Sequence, residues 1–336
     1  MTERPWPSGA VTGVGSLPGT DPVEAARLVF GELAKLPHLP ELPARGAGAD
    51  MIGRAAALLV DLPVELVPSG WRITARAGHD LRRARDFLAW DLDALQVAGD
   101  GYSGPLKLQA AGPWTLAASL ELPNGNRVVS DHGAARDLAA SLAEGLTQHL
   151  ADVRARVPGA VPVLQLDEPS LPAVLAGRVP TPSGFGTVRA VDPAVAEQTL
   201  HDVLNVAEEP ARVVHCCAAD APIGLLRSAG CTGVSFDATR SDDWELDELG
   251  QAVEAGTSLW LGVLPATDAP VSFDAARERV RQLWTALGFP LSQLADSVVA
   301  TPACGLAGAS SEYARTVLHV LRDLGDWLAD AEAEQS

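Results

Sequence analysis

An apolar run that ends in two acids decides the fold: residues 161–168 read VPVLQLDE, and Pro169 follows. A short apolar run bounded by proline and polar residues is typical of a buried strand. Similar runs, each stopping at small or polar residues, recur along the chain. They are VTGVGS (11–16), PLKLQA (105–110), ARVVHC (211–216), GVSFD (233–237), SLWLGVL (258–264) and SVVATP (297–302), with WRITA (71–75) as a weaker eighth candidate.

The segments between these runs have helical periodicity, with leucine and alanine on one stripe and charges on the other. Strands that alternate with helices predict parallel strands joined by crossovers. Seven or eight such units without a visible linker predict an α/β fold, a single closed (β/α)8 TIM barrel over residues 11–332, after a flexible tail at residues 1–10. No G-x-G-x-x-G opens a helix after a strand, so a dinucleotide-binding fold is not favoured.

Composition narrows the class of protein. The chain has 336 residues, 47% of them hydrophobic, which is enough for a sizeable core. A formal net charge of −18 argues against nucleic acid and anionic membrane surfaces as partners. No stretch reaches the about 18 apolar residues of a membrane span, and the N-terminal residues MTERPWPSGA do not resemble a signal peptide. We therefore expect a cytoplasmic protein.

Polar residues follow the predicted strands at the points where the strands end. In a TIM barrel these ends meet at one mouth, where such folds keep their chemistry. His215 and Cys217 are two positions apart, so both face the mouth. Asp237 and Cys304 end two later strands, and a His/Cys/Cys/carboxylate set favours Zn²⁺. The alternative for the cysteines is plain burial, since cysteine is among the most buried residue types.

Two further strand ends suggest substrate contacts. Asp167 and Glu168 suggest an anchor for a substrate amine or a general base, or else the N-cap of the next helix. Ser16, after Gly15, can offer backbone N–H groups to a substrate carboxylate, or can be an ordinary turn residue. The residues alone leave these alternatives open.

Several motifs in order resemble the cobalamin-independent methionine synthase family, in its C-terminal catalytic barrel. They are VGSLP (14–18), GPWTL (112–116), LQLDEPSL (164–171), VVHCC (213–217), VSFDATRSD (234–242) and TPACGL (301–306). The resemblance implies a barrel of the methionine synthase and uroporphyrinogen decarboxylase type, as in the short, single-barrel archaeal members. It implies a zinc-dependent methyltransferase that converts homocysteine to methionine.

The same resemblance assigns roles to individual residues. It implies that Asp167 holds the amino group of homocysteine and is the catalytic acidic residue, with Glu168 beside it. It implies that Gly15 and Ser16 take the carboxylate end. The implied zinc ligands are His215, Cys217, Asp237 and Cys304.

This sequence also departs from the family pattern. Asp237 stands where the family has a glutamate ligand, and GVLPATDAP (262–270) replaces a stretch whose histidine is implicated in proton transfer to folate. Ala47 stands where the family has an acidic substrate-binding residue, and Glu41 could replace it only with a gap. With the second barrel also missing, we expect a methyl-corrinoid or a corrinoid protein as the donor rather than methyltetrahydrofolate.

Two other functions remain open from the sequence. The first is a decarboxylase of the uroporphyrinogen type, for which Arg45 and Arg54 lie near Asp50. The second is a non-catalytic partner that binds zinc or a corrinoid and delivers it to another protein.

Overall fold

The computed structural model describes residues 4–206, 211–240 and 245–330. The β-strands are β1 (Val64–Val67), β2 (Gly70–Ile73), β3 (Ser103–Ala111), β4 (Gly159–Asp167), β5 (Arg212–Cys216), β6 (Gly233–Asp237), β7 (Ser258–Leu264) and β8 (Val298–Pro302). The α-helices are α1 (Pro22–Glu32), α2 (Met51–Leu58), α3 (His79–Ala98), α4 (Pro113–Ser119), α5 (His132–Arg156), α6 (Leu171–Leu175), α7 (Pro193–Leu204), α8 (Ile223–Ser228), α9 (Leu246–Glu254), α10 (Phe273–Leu287), α11 (Leu294–Ser297) and α12 (Ser311–Asp330).

A curled parallel sheet of six strands is the frame of the molecule. Its order is β3-β4-β5-β6-β7-β8, so strands adjacent in sequence are adjacent in the sheet. The register places Asp167 of β4 beside His215 of β5, and His215 beside Ser235 of β6. The predicted α/β class with a TIM-like parallel sheet is therefore confirmed, and the sheet aligns the ends of β4, β5 and β6.

The prediction of eight strands is confirmed only for these six. Residues 71–75 do not supply a further barrel strand, because β2 pairs antiparallel with β1 in a separate hairpin. Residues 11–16 form isolated bridges instead of a strand, Val11 with Ala300 and Ser16 with Glu41. Glycines at positions 13 and 15 explain this in part, since glycine disfavours a regular strand.

Asp and Ser residues start several of the helices that cover the sheet. Asp131 accepts hydrogen bonds from the backbone N–H groups of Gly133 and Ala134 at the start of α5. Asp192 accepts one such bond at the start of α7, and Ser272 accepts one at the start of α10. These caps satisfy N–H groups that a helix leaves unpaired at its N-terminus.

The inner surface of the sheet changes from apolar to polar along the strands. A small inner cluster includes Val163, Val213 and Trp260. Two residues further along β4 and β5, the side chains of Gln165 and His215 are buried and polar. Because side chains two apart share a face, each strand carries its polar residues towards its carboxyl end.

The predicted domain limits, a tail at residues 1–10 and a barrel over residues 11–332, stay predictions. The structure describes part of the tail. Trp6, in the segment expected to be a tail, is buried and packs edge-on against Trp260 with ring centroids 5.2 Å apart. Residues 1–3, and residues 331–332 at the other limit, lie outside the described residues. Among the helices described, none has the length and apolarity needed to cross a membrane. The cytoplasmic location stays a prediction.

Candidate metal and substrate site

Three of the four predicted metal ligands meet at the carboxyl ends of the strands. Ligand atoms of His215, Cys217 and Cys304 all lie within 4.8 Å of one another. The two sulfur atoms are 3.4 Å apart. The histidine is buried and the cysteines are half-buried. Within the part of the chain that the structure describes, no other group of three such residues has this geometry.

The imidazole of His215 is oriented for a ligand. Its Nδ1 lies 2.9 Å from the hydroxyl oxygen of Ser235 on the adjacent strand. Its Nε2 is buried and has no hydrogen-bond partner among the described residues. Metal-bound histidines are typically held through the ring nitrogen that does not bind the metal. The orphaned nitrogen beside two thiols therefore fits a Zn²⁺ ion.

The two cysteines differ in their acidity. The hydrogen bond between the two sulfur atoms lowers the pKa of Cys304 to about 4, with His215 acting in the same direction and burial opposing the shift. The same bond raises the pKa of Cys217. Metals bind cysteine as thiolate, so a cysteine pair in which one thiol has a lowered pKa is chemically suited to a metal site.

Asp237 is not brought into this group. Its Oδ1 accepts hydrogen bonds from the backbone N–H of Thr239, at 2.9 Å, and from its hydroxyl, at 2.6 Å. Such bonds two residues along the chain are typical of aspartate in turns. The role of Asp237 as a ligand stays a prediction.

Asp167 lies beside the metal group at the end of β4. It is buried, and its Oδ1 accepts a hydrogen bond of 2.7 Å from the Nε2 of Gln165. Burial raises its pKa to about 7, and the negative charge of Glu41 adds to this shift, whereas His215 and Lys107 oppose it. A buried carboxylate at this point suits an ammonium group, because a cation compensates for its lost hydration.

Glu41 is a second buried carboxylate that the predicted site did not include. Its Oε1 accepts a hydrogen bond of 3.2 Å from Gln109 and lies 3.5 Å from the Nε of Arg54. Burial raises its pKa, and Arg54 opposes the shift. The signal in the sequence was the family's acidic substrate-binding residue, for which Glu41 was a candidate only if a gap was allowed.

Gly15 and Ser16 lie where the first and last parts of the chain approach each other. Leu306 donates its backbone N–H to the carbonyl of Ser16 at 2.8 Å. A Cβ on Gly305 would clash with the hydroxyl oxygen of Ser16, and one on Gly15 would lie 2.8 Å from the side chain of Gln109. The glycines permit this close approach, and carboxylate binding by Gly15 and Ser16 stays a prediction.

The carboxylate of Glu168 is hydrogen-bonded to the N-terminus of helix α4. Its Oε1 accepts from the backbone N–H of Trp114, and its Oε2 accepts from the N–H and hydroxyl of Thr115. Burial raises its pKa to about 7 despite these bonds. Glu168 therefore caps a helix that precedes it in the chain, and not the next helix that the capping alternative named. Its role in substrate binding stays a prediction.

The fold and the site define a class: a TIM-like α/β protein with a metal-type His/Cys/Cys group beside buried carboxylates. A family model for the catalytic domain of cobalamin-independent synthase matches residues 10–326. No curated protein sequence matches the chain. The chain therefore belongs to the cobalamin-independent synthase family, and it is a methyltransferase of the methionine synthase type.

Solved structures agree with the fold. A B12-independent methionine synthase from Shewanella sp. W3-18-1, in complex with selenomethionine, aligns with a TM-score of 0.62 at 13% identity. The alignment covers 98% of this chain and 100% of that one. A GH5_18 structure from Streptomyces cattleya in complex with GlcNAc aligns with a TM-score of 0.45 at 14% identity, over 98% of this chain and 82% of that one. The first likeness shows a shared fold, and the second is too weak to support an argument.

Membership of the family corrects the expected methyl donor and bears on the two alternative functions. It is cobalamin-independent, so the corrinoid donor or corrinoid protein expected from the sequence is not supported. The departures from the family pattern were poor guides to the donor, because none of them identifies a corrinoid-binding surface. The family match also favours an enzyme over a non-catalytic carrier, and a synthase over a decarboxylase.

Proposed function

We propose that this protein transfers a methyl group to the thiol of homocysteine, giving methionine, with Zn²⁺ held by His215, Cys217 and Cys304. The observation that carries the proposal is the meeting of these three donors within 4.8 Å of one another, on strand ends next to Asp167. Three protein ligands are typical of catalytic zinc, and Asp237 is a candidate fourth donor. When bound, zinc would favour the thiolate form of the acceptor sulfur at neutral pH.

The chain's own residues would hold the rest of the amino acid. Asp167 and Glu41 are buried carboxylates whose charges interact, and an ammonium group between them would relieve that repulsion. Ser16, which forms a bridge with Glu41, would offer backbone groups to the carboxylate of the amino acid. Fixing both ends of the amino acid would aim its sulfur in one direction.

We further propose that the barrel is closed by two irregular segments, which lie between β8 and β3. Val11 bridges to Ala300 of β8, and His38 bridges to Lys107 of β3. The bridge between Ser16 and Glu41 joins the two segments to each other. This closure would bring Ser16 and Glu41 to the same mouth as Asp167.

For the donor we propose methyltetrahydrofolate. The support is the family, which is cobalamin-independent and uses folate. The residues that would bind the folate are not assigned.

The test is a metal analysis followed by an assay. Protein purified without chelator is expected to contain one zinc per chain and to form methionine from homocysteine and methyltetrahydrofolate. Methylcobalamin serves as the comparison donor and is expected to react more slowly. Zinc-loaded protein that makes no methionine from either donor would contradict the proposed function, and faster reaction with methylcobalamin would contradict the proposed donor.

A further inference from the structure

Lys107 is a fully buried lysine in the middle of β3. Its side chain has no exposed surface. Its Nζ donates to the carbonyl oxygen of Val14 at 2.7 Å and to the Oε1 of Gln109 at 3.1 Å. Lysine is almost never buried without a partner, because its charge loses hydration. The ordinary reason for a fully buried lysine is a nearby negative charge.

Two hydrogen-bonded paths connect Lys107 to the two carboxylates of the site. On one side, Gln109 donates its Nε2 to Glu41. On the other side, the carbonyl of Val14 also accepts from the Nε2 of Gln165, at 2.9 Å, and this same Nε2 donates to Asp167. The ammonium of Lys107 is thus at the centre of a path that ends at one carboxylate in each direction.

The charges support the same relationship. Lys107 lowers the pKa of both Asp167 and Glu41, against the burial that raises them. Arg54 adds to this effect at Glu41 only. Burial in turn lowers the pKa of Lys107 to about 7, and the charges of Asp167 and Glu41 oppose that shift, so the lysine and the two carboxylates stabilise one another's charged forms.

We propose that Lys107 is a positioning residue for the amino-acid pocket: its amine, through its bonds to Val14 and Gln109, aligns the amides that hold Asp167 and Glu41 for the ammonium of the acceptor thiol. This inference rests on the proposed function and names a residue that acts without touching the substrate. Its consequence is selective. Loss of the amine should weaken recognition of the substrate's amino group and leave the metal group unchanged.

The test compares homocysteine with 4-mercaptobutyrate, the same thiol acid without the amino group. The variants are Lys107→Met, Lys107→Gln, which keeps a donor for Val14 but has no charge, and Lys107→Arg, which keeps the charge. We expect wild type to have a lower KM for homocysteine than for 4-mercaptobutyrate. In Lys107→Met and Lys107→Gln, we expect the ratio of the KM for 4-mercaptobutyrate to the KM for homocysteine to fall about tenfold, as for a lost charge-assisted hydrogen bond. The kcat and the zinc content should change little. Lys107→Arg should restore most of it.

The control is the chain's other lysine. Lys35 is partly exposed and lies 3.4 Å from Asp326, so Lys35→Met should behave as wild type. Lys107→Gln keeps the test open if Lys107→Met does not fold. A Lys107→Gln enzyme that keeps the wild-type preference for homocysteine would overturn the inference. Wild-type protein that makes no methionine at all would instead overturn the proposed function, so the two failures can be told apart.

Discussion

The sulfur atoms of Cys217 and Cys304 lie 3.4 Å apart, although 87 residues separate them in the chain. Cys217 directly follows β5 and Cys304 follows β8, so the curvature of the sheet brings them together. His215 completes the group from the same strand end as Cys217. The His/Cys/Cys group therefore depends on the tertiary fold rather than on one local motif.

Substitution of Cys304 by alanine should remove zinc. The change leaves one thiol and one imidazole, and we expect zinc affinity to fall by more than the about 10–100-fold that follows loss of a hydrogen bond to a metal ligand. Metal analysis after dialysis measures this. Cys231→Ala is the matched control, because Cys231 is a buried cysteine outside the group and should keep full zinc. Equal zinc in both variants would contradict the assignment.

Substitution of Ser235 by alanine should weaken zinc binding without removing a ligand. The hydroxyl of Ser235 holds the Nδ1 of His215, and without it the ring is free to turn. We expect zinc affinity to fall by about 10–100-fold in a competition titration with a chelator. Ser258→Ala is the control, since its buried hydroxyl has no hydrogen-bond partner among the described residues. An unchanged affinity in Ser235→Ala would show that the contact does not orient the ligand.

The adjacent acids Asp167 and Glu168 should have different roles. Asp167→Asn should raise the KM for homocysteine by about 10–100-fold, the loss of a hydrogen bond between charged groups, and should keep zinc. Glu168→Gln should instead lower the free energy of unfolding by about 1–3 kcal/mol, because its two oxygens accept three hydrogen bonds at the start of α4. Kinetics and denaturant unfolding of both variants measure these effects. A Glu168→Gln enzyme of normal stability and raised KM would reverse the assignment.

His149 on α5 should make the protein sensitive to acid. Burial lowers its pKa to about 3 from an ordinary value of 6.5, and Arg54 and Arg156 act in the same direction. The unfolded chain therefore takes up a proton here before the folded chain does, so stability is full above the ordinary value and falls as the pH drops towards the folded value.

Replacement of His149 by leucine should reduce this acid sensitivity. Between about pH 7.5 and about pH 5, we expect the variant to lose about 2 kcal/mol less stability than wild type. Denaturant unfolding at the two pH values measures the difference. His132→Gln is the control, because His132 is an exposed histidine on the same helix. A wild-type acid loss in His149→Leu would exclude His149 as its source.

The sequence predicted the parts of the site that lie on regular strands. His215 and Cys217 are two residues apart, and the period of a strand was enough to put them on one face. Cys304 could be added because it follows a clear apolar strand. Asp237 also lies at the carboxyl end of its strand. Its carboxylate accepts hydrogen bonds from Thr239, however, and no pattern in the sequence predicts these local bonds.

The parts that could not be predicted lie on irregular segments. Glu41 follows a stretch rich in proline, which has no strand pattern, and its position depends on the bridge of this segment to β3 and on its own contacts with Ser16, Gln109 and Arg54. The burial of Lys107 could not be predicted either, because a single lysine in an apolar run can face solvent or the interior. Both residues depend on contacts between segments far apart in the sequence.

The most direct test of the central claim is zinc X-ray absorption of the loaded protein, with and without homocysteine. Two sulfur ligands from Cys217 and Cys304 and one nitrogen from His215 are expected in the free protein. Addition of homocysteine should raise the number of sulfur ligands to three. A sulfur number that stays at two while homocysteine is turned over would contradict activation of the thiol at this metal.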